Sequence, residues 1–231
     1  MPIRVVGLDG DDTLWHNETR FKLTQTELRE LLHRHVLGAD VDAHLAGVEM
    51  KNLALYGYGV KAFTLSMIET AIELTKSRIS AADLAVILGW GKRMLMEPTE
   101  LLEGVESALR DLAKRYDLLL ITKGDLFDQE SKLARSGLAD LFIGVEILSE
   151  KSVDSYRSVL RRRAITASDF VMVGNSLRSD IAPVLALGAS AVHIPYHVTW
   201  HHEELPEDSL PKKGWRRLAS ISELAQALSE L

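Results

Sequence analysis

Residues 3–13 read Ile-Arg-Val-Val-Gly-Leu-Asp-Gly-Asp-Asp-Thr, a short apolar run that ends abruptly in three carboxylates. The β-branched, almost continuous apolar part, Ile3 to Leu8, suits a strand buried on both faces of a parallel sheet. Three runs further along have the same form: Leu118–Ile121 (LLLI), Phe170–Val173 (FVMV) and Ala191–Ile194 (AVHI), with a weaker one at Leu141–Val145 (LFIGV). Helix-period stretches lie between them, over Gly104–Arg115, Phe127–Ser136, Ser152–Arg163 and Ile181–Leu187, and Gly137 and Gly188 stand where helices commonly close. Strand and helix in steady alternation predict an α/β fold built on a doubly wound parallel sheet.

One interval breaks the rhythm. More than 100 residues separate Leu8 from Leu118, whereas a βαβ unit needs about 30. Residues 18–98 contain no convincing strand but hold helix-period stretches over Thr24–Leu37, Val41–Tyr56, Lys61–Lys76 and Ala81–Met96, punctuated by Gly57 and Gly59, by Ser80 and by Glu97-Pro98. An all-helical domain over 18–98, inserted into a core made of 1–17 and 99–231, follows. Trp200–Gly214, rich in His, Glu and Pro, reads as an irregular loop before a short helix over Ile221–Leu228. The local cluster of His197, His201, His202, Glu203 and Glu204, bracketed by Pro195 and Pro206, has no helical ligand spacing and reads as solvated.

Composition narrows the function. The 231 residues carry 27 Lys+Arg against 33 Asp+Glu, a formal charge of −6, the wrong sign for a dedicated nucleic-acid binder. The absence of cysteine excludes disulfides, thiolate zinc sites, iron–sulfur clusters and a cysteine nucleophile. No stretch approaches the roughly 18 uncharged apolar residues of a membrane span, so a cytoplasmic setting with no membrane partner is expected, for a monomer or homodimer.

In a parallel α/β sheet, ligands bind beyond the carboxyl ends of the strands, and here those ends are polar: Asp9-Gly10-Asp11-Asp12-Thr13, Thr122-Lys123-Gly124-Asp125 and Gly174-Asn175-Ser176-Leu177-Arg178-Ser179-Asp180, with Lys151 at the start of a helix. Carboxylates brought to one sheet edge repel each other unless a cation neutralises them. With oxygen donors alone, Mg²⁺ is the consistent ion. Thr122, Lys123 and Lys151 are the candidates for contact with a phosphoryl group.

Asp9-x-Asp11-x-Thr13 after a strand, Thr122 at a strand end, Lys151, and the run from Gly174 to Asp180 resemble, in order, the four motifs of the haloacid dehalogenase superfamily, over essentially the whole chain. The resemblance implies a Rossmann-like sheet of order 5-4-1-2-3, with the helical insertion as a C1-type cap. It further implies Asp9 as nucleophile, forming an aspartyl-phosphate, and Asp11 as general acid and then general base. Thr122 would hold a phosphoryl oxygen, Lys151 would offset the clustered charge, and Asp9, Asp11 (through its carbonyl), Asn175 and Asp180 would hold Mg²⁺. The expected activity is Mg²⁺-dependent hydrolysis of a small phosphorylated metabolite. Asn175 departs from the family pattern, which has an acid there. Asp11 is absent from the metal-independent 2-haloacid dehalogenases of the superfamily, and so favours phosphoryl transfer over that alternative. A non-catalytic binding protein retaining the fold is the third reading.

Overall fold

The structure, a computed structural model, describes residues 3–230. Six strands, β1 (Val5–Leu8), β2 (Asp117–Lys123), β3 (Phe142–Leu148), β4 (Phe170–Gly174), β5 (Ser190–His193) and β6 (Trp215–Arg217), form one parallel sheet in the order β3-β2-β1-β4-β5-β6. Four helices, α1 (Glu18–His33), α2 (Val41–Tyr56), α3 (Val60–Leu74) and α4 (Ala81–Met96), follow β1. The rest of the chain adds α5 (Val105–Leu112), α6 (Leu126–Ser136), α7 (Val153–Arg162), α8 (Ala182–Leu185) and α9 (Leu224–Ser229). Among the described residues no helix is long and apolar enough to cross a membrane.

Two compact units result, one of residues 1–18, 99–123 and 129–231, the other of 19–98 and 124–128. In the first, alternation along each strand sends side chains to opposite faces of the sheet. Val6, Leu8, Leu118, Leu120, Val171 and Val173 meet α5, α6 and α9, while Val5, Leu119, Ile121, Phe170 and Met172 meet α7 and α8. Gly7 makes room for this packing, because a Cβ there would stand 2.5 Å from the Phe170 ring. The second unit has its own core, centred on Leu28, Leu32, Leu45, Phe63, Met67 and Ile87.

Several elements differ from their sequence expectation. Helix α1 starts at Glu18 and not at Thr24, because the Asp12 carboxylate accepts the main-chain N–H groups of Asn17 and Glu18 and satisfies the helix start. The helix expected over 181–187 begins earlier, with one π-type turn over Leu177–Ile181. The tail contains a strand, β6, immediately after the expected loop. Residues 124–128, assigned to the sheet domain by their position in sequence, belong to the helical unit, where Lys61 pairs with Asp125 at 2.8 Å and lies over the Phe127 ring.

Gly91 lets α4 approach α3, since a Cβ there would overlap the Thr64 hydroxyl. Gly91→Ala should destabilise the helical unit by about 1–3 kcal/mol through overpacking. Adding Thr64→Ala should recover part of that loss, a coupling measurable by denaturant melts of both single variants and the double variant.

Candidate active site

The sheet reverses its strand order around β1, with β2 on one side and β4 on the other, and ligand sites in such sheets form at this switch point. Asp9 follows β1 directly, its N–H donating to the Val173 carbonyl of β4 at 2.9 Å. Its side chain is almost fully buried. Oδ2 accepts from the Thr13 hydroxyl at 3.1 Å, and Oδ1 accepts from Lys151 Nζ at 2.5 Å.

Lys151 is placed by the start of α7, where the Ser152 hydroxyl accepts from the Ser155 N–H and caps the helix. The same ammonium donates to Asp180 Oδ1 at 2.6 Å. Asp180, 1% exposed, lies in the π-type turn after β4, and its Oδ2 accepts from the Ser176 N–H at 3.0 Å. Glycine is required at 174, where a Cβ would overlap the Asp180 carboxylate. Burial pushes the Asp9 carboxyl up to about 7, opposed by Lys151 and reinforced by Asp180 and Asp11. Burial alone would lower the Lys151 ammonium, but the Asp180 and Asp9 carboxylates overcome it and hold the lysine charged.

Asp11 takes a different environment from Asp9. Its Oδ1 accepts from the Trp15 indole at 2.6 Å and from Lys132 Nζ at 2.9 Å, and its Oδ2 accepts from Gln129 at 2.9 Å and from Lys132 at 3.1 Å. Its two oxygens are fixed in direction by four donor contacts. Asp12, by contrast, works as the helix cap described above, with a left-handed backbone (φ 60°). Burial raises its carboxyl to about 7, against the N–H bonds from Glu18 and Asn17.

The other expected residues separate into two groups. Thr122 is buried at the end of β2, with its hydroxyl 3.4 Å from Gln129 Oε1 and the same distance from where a Cβ on Gly10 would stand. Asn175 lies beside Asp9, since the Thr13 hydroxyl is also 3.3 Å from Asn175 Oδ1. Lys123 belongs to a neighbouring cluster, donating to Glu203 Oε1 at 2.5 Å and to the Ser179 hydroxyl at 3.0 Å. Glu203 corrects the solvated reading of the His/Glu loop: it is largely buried, and its Oε2 also accepts from the Ser176 and Ser179 hydroxyls at 2.5 Å each. Trp15, Gln129, Lys132 and Glu203 escaped the motif reading. For Gln129 and Lys132 the available signal was two polar residues one turn apart on the helix after the Thr122 strand.

One ammonium reaches both Asp9 and Asp180, and one hydroxyl reaches both Asp9 and Asn175, so the three residues are linked through Asp9. Two carboxylates and an amide oxygen are donors that suit Mg²⁺, which completes its shell with water and substrate oxygens. Among the described residues no group of three His, Cys, Asp or Glu has metal-holding geometry.

The sequence profile of the haloacid dehalogenase-like hydrolases matches residues 3–188. The chain belongs to this family. A haloacid dehalogenase-like family hydrolase from Xanthomonas campestris is 42% identical and superposes with a TM-score of 0.87, over 99% of this chain and 92% of that one. The HAD-hydrolase YfnB of Bacillus subtilis is 27% identical over 126 residues, 48% of this chain and 54% of that protein. This haloacid dehalogenase-like hydrolase thus spans about half the length of that curated relative in the match. Two further structures share the fold over 99% of both chains: YfnB bound to magnesium, with 18% identity and a TM-score of 0.68, and a 2-haloacid dehalogenase from Pseudomonas syringae, with 22% and 0.64.

Burial and Lys123 pull the Glu203 carboxyl in opposite directions, and with the two serine hydroxyls the lysine prevails, bringing it from 4.5 down to about 2. A native pKa below the unfolded value means that the ionised form favours folding. This contribution, roughly 3 kcal/mol at most, is complete above pH about 4.5 and disappears as the pH falls towards 2. Glu203→Gln should therefore flatten the acid limb of a stability-versus-pH curve measured by urea melts.

Proposed function

We propose that this haloacid dehalogenase-like hydrolase is a Mg²⁺-dependent phosphatase acting on a small phosphomonoester. The observation that carries the reading is the pair of carboxylates at the end of β1 in unlike environments. Asp9 is buried beside a single ammonium, and Asp11 is pinned by Trp15, Gln129 and Lys132.

In the first step an Asp9 carboxylate oxygen attacks phosphorus, and the bond from phosphorus to the leaving oxygen breaks. Asp11, which enters this step carrying a proton, passes it to that leaving oxygen and is left as the carboxylate. In the second step Asp11 takes a proton from water, whose oxygen attacks the aspartyl-phosphate, and the bond between phosphorus and Asp9 breaks to release inorganic phosphate. The four donor contacts on Asp11 suit this second role, because they hold its oxygens in one direction. Lys151 and the Thr122 hydroxyl supply a charge and a donor for the phosphoryl oxygens. Asp9, Asn175, Asp180 and the Asp11 carbonyl would hold Mg²⁺, which when bound neutralises charge on the transferring group. The reading is of a cytoplasmic enzyme, in keeping with a chain free of cysteine.

The test is hydrolysis of an aryl phosphate with and without Mg²⁺. Wild type should turn over only with Mg²⁺, Asp9→Asn should fall to background, and equal rates for the two proteins would overturn the proposal. Asp11→Asn should lose about 10²–10⁴-fold in steady-state turnover. With an aryl leaving group that needs little protonation, it should also show a burst as phosphorylated Asp9 accumulates.

The uncharged Asn175, together with Lys151 standing between Asp9 and Asp180, favours one rival, metal-independent displacement of halide by Asp9. Halide release from 2-chloropropionate in the presence of EDTA, with no phosphatase activity, would put that rival first.

A further inference from the structure

The end of β5 and the loop after it reach back to the segment around Asp180 at three places. His193 Nε2 donates to the Asn175 carbonyl at 3.0 Å, the Arg178 guanidinium donates to the His202 carbonyl at 2.9 Å, and Glu203 accepts from the hydroxyls of Ser176 and Ser179. The third is the most consequential for the site. Ser176 is the residue whose N–H donates to Asp180 Oδ2, and its hydroxyl in turn accepts from the Ser179 N–H at 3.0 Å. Ser179 directly precedes Asp180, and its carbonyl accepts from the buried Tyr156 hydroxyl at 3.1 Å. Glu203 thus grips both ends of the turn, and Lys123, from the end of β2, supplies the counter-charge that lets a carboxylate sit there.

We propose that Glu203 is a positioning residue that clamps the Ser176–Ser179 turn and thereby holds the Asp180 carboxylate in the orientation that would bind the divalent cation. This rests on the phosphatase reading for the identity of the cation, while the clamp itself does not. It also assigns Lys123 to holding Glu203. Partners one step behind a metal ligand typically change metal affinity or activity by about 10–100-fold when removed, and the effect expected here lies in that range.

The experiment compares full-length wild type, Glu203→Ala and Glu203→Gln in two measurements. In metal-free protein, amide hydrogen exchange over residues 175–181 should quicken in Glu203→Ala. It should quicken less in Glu203→Gln, which keeps one acceptor, and should stay unchanged in α5. Calorimetric titration with Mg²⁺ should show about tenfold or greater weakening in Glu203→Ala. In steady-state turnover of an aryl phosphate, the loss should appear in the Mg²⁺ concentration for half-maximal rate more than in kcat at saturating Mg²⁺. Unchanged exchange over 175–181 would overturn the clamp, and quickened exchange with unchanged Mg²⁺ affinity would overturn its link to the cation. Wild type that binds no Mg²⁺ would overturn that link and the phosphatase reading together, and the exchange measurement would still decide the clamp. If Glu203→Ala does not fold, the Ser176→Ala/Ser179→Ala double variant undergoes the same exchange and titration.

Discussion

A single ammonium shared by two buried carboxylates organises this site. Lys151 meets Asp9 and Asp180 within 2.6 Å, all three shielded from water. Taking such charges out of water is costed at several kcal/mol per ion, so every further donor nearby matters. The Thr13 hydroxyl serves Asp9 and the Ser176 N–H serves Asp180. With both carboxylates ionised the trio would carry one net negative charge, which is the electrostatic argument behind the proposed divalent cation.

Holding the trio together requires three chain segments far apart in sequence, the ends of β1 and β4 and the entry to α7. A parallel sheet supplies this naturally, because all its strands end on the same side. Close packing then removes choice at a few positions. Gly174 has no room for a side chain beneath Asp180, and Gly10 has none beside the Trp15 ring, 2.8 Å from where a Cβ would stand. Trp15 in turn fills the space next to Asp11 and donates to it, so one side chain both packs and orients.

Much of this was readable in the linear sequence, for a physical reason. Strands buried on two faces leave uninterrupted apolar runs, as at Val5–Leu8 and Phe170–Val173, and the residues that follow such runs are obliged to line the sheet edge. What escaped reading lacks that contrast. Strand β6, Trp-Arg-Arg, lies at the sheet margin and needs no apolar run. Glu203 sits among histidines and prolines, where burial leaves no trace in composition, and only the tertiary meeting with Lys123 and two serines makes it a buried anion. Gln129 and Lys132 are ordinary polar residues of a helix until the fold turns that face toward Asp11. Asp9, Asp11 and Asp12 look alike as neighbours, yet the backbone sends one to Lys151, one to Lys132 and one to the start of α1.

Strand β1 precedes the other strands in sequence and lies among them in space, with more than 100 residues between Leu8 and its first partner at Asp117. On a chain emerging from the ribosome, four helices with mostly short-range contacts are complete before any strand can pair with β1. Its second neighbour, starting at Phe170, arrives later still. During that interval Val5–Leu8 is an apolar segment with both edges open, the kind of segment that invites intermolecular pairing. The carboxylates of residues 9, 11 and 12, placed directly behind it, then have a second part to play. Unpaired and hydrated, they lend the nascent strand a local negative charge that discourages two copies from stacking, the part that gatekeeper residues play beside aggregation-prone strands.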